Sequence, residues 1–152
     1  MDDGPPDRHD LDTLLDFLLT FAQQTLGRYG EFYPFGAVLT TEGEVVGQAG
    51  QLVENDRPPS QVVIDLITNG MKAQADDGSI RASGLCYDVK WRMPDDEITD
   101  AIFVALEHRS GRTVAVAQPY SKGRFRGFRY GDLIAQDGEP RVFVGSASTP
   151  PD

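Results

Sequence analysis

"SIRASGLCYDVKW", residues 79–91, is the stretch on which the fold turns. Its apolar side chains recur at every second position, which is the period of an extended strand. Leu85, Tyr87, Val89 and Trp91 fall on one face, and Ala82, Gly84 and Cys86 on the other. Downstream, "AIFVALEHR" (101–109) and "TVAVAQPY" (113–120) read as a hairpin around "SGR". The acidic "RMPDDEITD" (92–100) is read as the loop before that hairpin. "RFRGFRYG" (124–131) and "RVFV" (141–144) can add a fifth to seventh strand, and "GDLI" (131–134) fits either a helical turn or a strand end.

Upstream of residue 79 the period changes to that of helices. Leu11, Leu14, Leu15, Leu18, Ala22 and Leu26 recur at three- and four-residue spacing, with Phe17 and Phe21 widening the stripe. A first helix is expected to begin at Asp10 or Asp12, either able to cap free backbone N–H groups, and to stop at Gly27 or Gly30. Two prolines precede Ser60, a good N-cap, and a second helix is expected over 60–75 with Val63, Ile64, Leu66, Ile67 and Met71 on its apolar face. Gly70 inside it costs about 1 kcal/mol relative to Ala, so close packing is expected there.

Between the helices, "FGAVLTT" (35–41) and "EVVGQAG" (44–50) are two strands turned by "TEG". The order is helix, two strands, helix, then three or more antiparallel strands. This specifies one α+β domain over 10–145, an antiparallel sheet of five or more strands with two main helices covering at least one face. Residues 1–9 and 146–152 are expected to be disordered tails.

"PFGAVL" followed by a turn and "GEVVG" resembles the opening of the zinc nucleoside and nucleobase deaminases, and roadblock and profilin-like interaction domains share that element order. The resemblance covers about 20 residues and implies a roadblock/profilin-like or deaminase-like strand order. Deaminase chemistry needs a His or Cys two residues before a Glu at the start of the second helix, then Pro-Cys-x-x-Cys. Here "PPSQVVIDL" (58–66) has no His, Cys or Glu, and the chain has one cysteine. The resemblance therefore implies a fold and no activity. As a whole the chain looks like small bacterial α+β proteins, and in size and charge like acidic immunity and adaptor proteins.

Composition narrows the function classes. The net charge of −10 disfavours general binding to phosphate backbones. No apolar run approaches the roughly 20 residues that span a bilayer, and no charged-then-apolar signal opens the chain, so a cytoplasmic protein without a membrane partner is expected. A single Cys86 excludes an internal disulfide and a CxxC pair. No metal site and no cofactor is expected.

Three functions are compatible with what remains. The leading expectation is a non-enzymatic domain that binds another protein, or itself as a homodimer. Its candidate contacts lie in "YSKGRFRGFRYGD" (120–132), where Tyr120, Lys122, Arg124, Arg126 and Arg129 alternate with aromatic residues in an acidic chain. The acidic loop with Asp95, Asp96, Glu97 and Asp100 could receive this basic stretch. An enzyme or ligand pocket would draw on Asp88, Cys86 and His108. The third possibility is a nucleotide or single-stranded nucleic acid bound through residues 122–129. The aromatic "GRYGEFYPFG" (27–36) is read as plugging the core.

Overall fold

The computed structural model describes residues 6–49, 59–123 and 127–144. The elements in chain order are α1 (Pro6–Tyr29), β1 (Phe35–Thr40), β2 (Val45–Ala49), α2 (Ser60–Asp76), β3 (Ile80–Arg92), β4 (Ile98–His108), β5 (Thr113–Lys122), β6 (Phe128–Tyr130) and β7 (Ile134–Asp137). The α+β class read from the sequence is the one observed. All strand pairings are antiparallel, in the order β2-β1-β3-β4-β5-β6, with β7 also on β5.

β6 and β7 are two pieces of one broken edge strand. Tyr130 pairs with Tyr120 and Ile134 with Ala117, so three residues of the edge (131–133) face two of β5. That mismatch is a bulge, and it falls at Pro119. The Pro119 carbonyl accepts the Gly131 N–H at 2.8 Å, but proline has no N–H to return on that side. The ladder fails where its donor is missing.

The two faces of β3 receive different helices. On the Ala82–Gly84–Cys86 face lies α1, whose Leu11, Leu14, Leu18, Ala22 and Leu26 are buried with Cys86, Ile102, Val104 and Leu106. Each fully buried leucine is worth about 2 kcal/mol over its exposed state, so packing holds α1 more firmly than helix propensity does. Gly84 lets α1 approach: a Cβ there would stand 2.5 Å from Leu18 Cδ1. On the Leu85 face lies α2, which buries Val63, Ile64, Ile67 and Met71 against Val38, Ile80 and Leu85.

Several local expectations are corrected. Residues 6–9 are not a tail: α1 starts at Pro6, a favoured first helical position, and Asp7 pairs with Arg112 at 3.1 Å. Asp10 is therefore no cap but a buried residue within α1. Residues 1–5 and 145–152 lie outside the described residues. Ser60 is the first residue of α2; the cap position is Pro59, with no side-chain cap bond. Leu66 is 49% exposed, since its helical position turns it off the sheet, and no neighbour stands within 4 Å of a Cβ on Gly70. "RVFV" is not a strand, and "IAQD" (134–137) is. The loop after β3 shrinks to residues 93–97, closed by Met93 N–H to Glu97 O at 2.8 Å, with Asp96 at φ 70°. In the aromatic junction Phe32 and Phe35 are buried as expected, whereas Tyr29 is exposed.

Candidate functional site

α2 lies over β1 and β3. Among the described residues no helix covers the same face over β4, β5 and the edge pieces. Strand alternation and register place Tyr87, Val89 and Trp91 of β3, Ala101, Phe103 and Ala105 of β4, and Ala115, Ala117 and Pro119 of β5 on this open face. Tyr87, Phe103 and Trp91 form an aromatic row, with Tyr87–Phe103 ring centroids 5.3 Å apart and Trp91–Phe103 6.5 Å apart. All three are partly exposed. The alanines beside them keep the floor low, so the rings stand proud of it.

A hollow lies at each end of the row. One is a cleft of about 600 Å³ lined by Glu97, Thr99, Pro119, Ser121 and Arg129 among others. It is lined by Asp95 and Glu97 of the acidic loop and by Arg129 of the basic stretch. Arg129 has no ion-pair partner among the described residues, so its guanidinium is open to a partner's carboxylate. The other hollow, about 180 Å³, lies between Tyr87, Phe103, Gln136 and Arg141. Arg141 is held there by Glu107, whose buried carboxylate accepts three backbone N–H groups: Arg141 at 2.9 Å, Val142 at 2.8 Å and Phe143 at 3.1 Å. Partial burial raises the Tyr87 hydroxyl above its ordinary range, while the charge of Arg141 pulls it back.

The basic stretch is not one strand. β5 runs on to Lys122, the chain turns with Gly123 N–H to Gly127 O at 2.8 Å, and β6 returns. Gly127 makes the turn at φ 75°. Lys122 pairs with Phe128 and Ser121 with Arg129, so Lys122 and Arg129 point to opposite faces. Arg124 and Arg126 lie outside the described residues. Tyr120 is buried, packed with Phe128 and Tyr130 on the α1 side, and donates its hydroxyl to Asp88 Oδ1 at 2.9 Å. Its role in the cleft is as part of the wall.

The alternative pocket is not assembled. Cys86 is fully buried, and burial pushes its thiol well above the ordinary range. Asp88 stands two residues along the same face, at the solvent side, where partial burial of the carboxyl raises it despite the Tyr120 bond. His108 pairs in register with Ala82, six residues from Asp88 along β3, or about 20 Å at the strand rise. It serves a different cluster: His108 Nε2 lies 2.9 Å from Asp10 Oδ2, and Arg81 donates twice to Asp10, at 3.0 and 3.1 Å. Among the described residues no group of three or more His, Cys, Asp or Glu is placed to hold a metal ion.

Sequence reasoning missed this Asp10–Arg81–His108 cluster and the Glu107 clamp. Glu107 and His108 are neighbours on β4 and point to opposite faces, and their partners are distant in the chain: Asp10 lies 98 residues from His108, and the 141–143 backbone 34–36 residues from Glu107. Comparison of the chain with protein families, with curated proteins and with solved structures gives no match.

Proposed function

We propose that the protein is a protein-interaction domain, and that the open face between the two hollows is its contact surface. The observation that carries this reading is the Tyr87–Phe103–Trp91 row, left partly exposed where a second helix would otherwise lie. Protein interfaces are enriched in aromatic residues and arginine and depleted in lysine at their centre. The face has that composition, with Arg129 at one end and Arg141 at the other. The cleft beside Arg129 is open, which suits side chains of a folded or extended partner better than a small molecule sequestered from water. The chain's acidic surface would restrict encounter to partners that are not themselves strongly acidic.

The test is a photo-crosslinking amino acid placed at Thr99 or Trp91 on the face and, as control, at Lys72 on the exposed side of α2. One discrete adduct from the face positions and none from Lys72 is the expected result. Adducts of the same protein from all three positions, or none from the face, would count against it.

A further inference from the structure

The opposite edge of the sheet carries a separate surface. From its exposed backbone we infer that the outer edge of β2 is a self-association site, where the β2 of a second copy adds antiparallel and joins two sheets into one.

The two edges of the sheet differ in how they are protected. The β6–β7 edge is short, broken by the bulge at 131–133, and bears Arg129, Asp132 and Asp137. These are the usual devices against edge-to-edge pairing. β2, "VVGQA", has none: no charge, no proline, and an unbroken register against β1 from Val45 to Ala49. The Thr40 N–H bonds to Glu44 O, so by antiparallel alternation Val46 and Gln48 also bond inward to β1. Val45, Gly47 and Ala49 then direct their N–H and C=O groups outward. Among the described residues nothing pairs with them.

Exposed apolar side chains gather around this edge. On the α1 side Phe17 stacks with Phe21 at 6.3 Å, lies 3.9 Å from the position of a Cβ on Gly47, and leaves Phe21 46% exposed. On the α2 side Val46 is exposed. So are Val62 and Leu66, one turn apart. Thr68 lines a small cavity with Ala105, Glu107 and Arg141, so that flank of α2 faces β4. Leu66 lies on the other flank, toward β1 and β2.

The occupant that fits is a second copy. A two-fold axis through Gly47 sets Val45 opposite Ala49 and Val46 opposite Gln48, and forms about six inter-chain hydrogen bonds. It also keeps the carboxylates apart. Glu42 and Glu44 lie at one end of each β2, and the antiparallel arrangement sends the two pairs to opposite ends; a parallel one would set them side by side. With a net charge of −10 per chain, the association should tighten with salt.

Sedimentation of the full-length untagged chain tests this, from about 1 to 100 µM, a range that brackets a micromolar Kd. The mean mass should rise from near one chain toward two across the range, and the midpoint should shift to lower concentration in salt. The double variant Val46→Lys, Leu66→Glu should remain monomeric with an unchanged circular dichroism spectrum, while Ile98→Lys, on the distant hairpin, should still dimerise. Should the double variant misfold, amide exchange of the wild type decides: the Val45, Gly47 and Ala49 amides should slow by about 4- to 7-fold between the lowest and highest concentration, as the monomer fraction falls. A monomer at every concentration, a folded double variant that dimerises normally, or outward amides whose exchange ignores concentration would overturn the inference.

Discussion

Tyr120 on β5 reaches across β4 and donates a hydrogen bond from its hydroxyl to Asp88 Oδ1 on β3, at 2.9 Å. The bond joins strands that are not neighbours in the sheet and fixes Tyr120, one of the residues that line the Arg129 cleft. Burial and the Asp88 carboxylate both hold the Tyr120 hydroxyl far above its ordinary value of 10.0. An acid whose folded pKa is raised costs stability as pH climbs from its unfolded value toward its folded one. The protein should therefore lose stability above about pH 10, and Tyr120→Phe should flatten that limb while costing about 1 kcal/mol at neutral pH. Melting temperature against pH, from 8 to about 11, reads both effects.

Asp10 sets the acid limb. Burial alone would raise its carboxyl, but hydrogen bonds from Arg81 and then His108 outweigh it and hold the group below 3.8. The stability so gained is present above the unfolded value and is lost as pH falls through the folded one. Asp10→Asn should shallow the decline of stability below about pH 4. It should also cost about 2–3 kcal/mol at neutral pH, by leaving the Arg81 guanidinium without its counter-charge at the α1–sheet contact. Urea unfolding at pH 3 and pH 7 separates the two.

Two glycines should respond in opposite directions to alanine. At Gly70, in the middle of α2, no neighbour stands within 4 Å of the new Cβ, so Gly70→Ala should stabilise by about 0.5–1 kcal/mol. At Gly84 the Cβ would meet Leu18 at 2.5 Å and Leu106 at 3.1 Å, so Gly84→Ala should destabilise by about 1–3 kcal/mol. Equal effects from the two in chemical denaturation would contradict the packing described.

The contrast between these positions also marks what the sequence could carry. The alternation in residues 79–91 gave both faces of β3 correctly, because side-chain direction in a strand is a local property. The helical stripes of α1 and α2 were legible from their own local period, with Phe21 and Leu66 excepted, since both are exposed. Strand order, the coverage of each face by its own helix, and the space around Gly70 depend on distant segments and are not encoded in any period. The candidate site followed the same rule. Arg129 and the acidic loop line one cleft, but no ion pair joins them among the described residues, so charge alone did not fix their relation. The turn separating Lys122 from Arg129 rests on Gly127, one residue whose positive φ breaks an otherwise regular alternation. Glu107 and His108 are neighbours in the sequence, yet their partners, the 141–143 backbone and Asp10, are joined to them only by the folded sheet.

The open aromatic face is the centre of the functional reading, and native mass spectrometry of the untagged chain, purified gently from its own cells, tests it most directly beside a Trp91→Arg variant. Trp91 is partly exposed near the end of β3, so the variant should fold with an unchanged melting temperature. The account expects a stoichiometric second protein on the wild type that is absent from the variant. A wild type carrying only a small molecule, or a partner kept unchanged by Trp91→Arg, would contradict it.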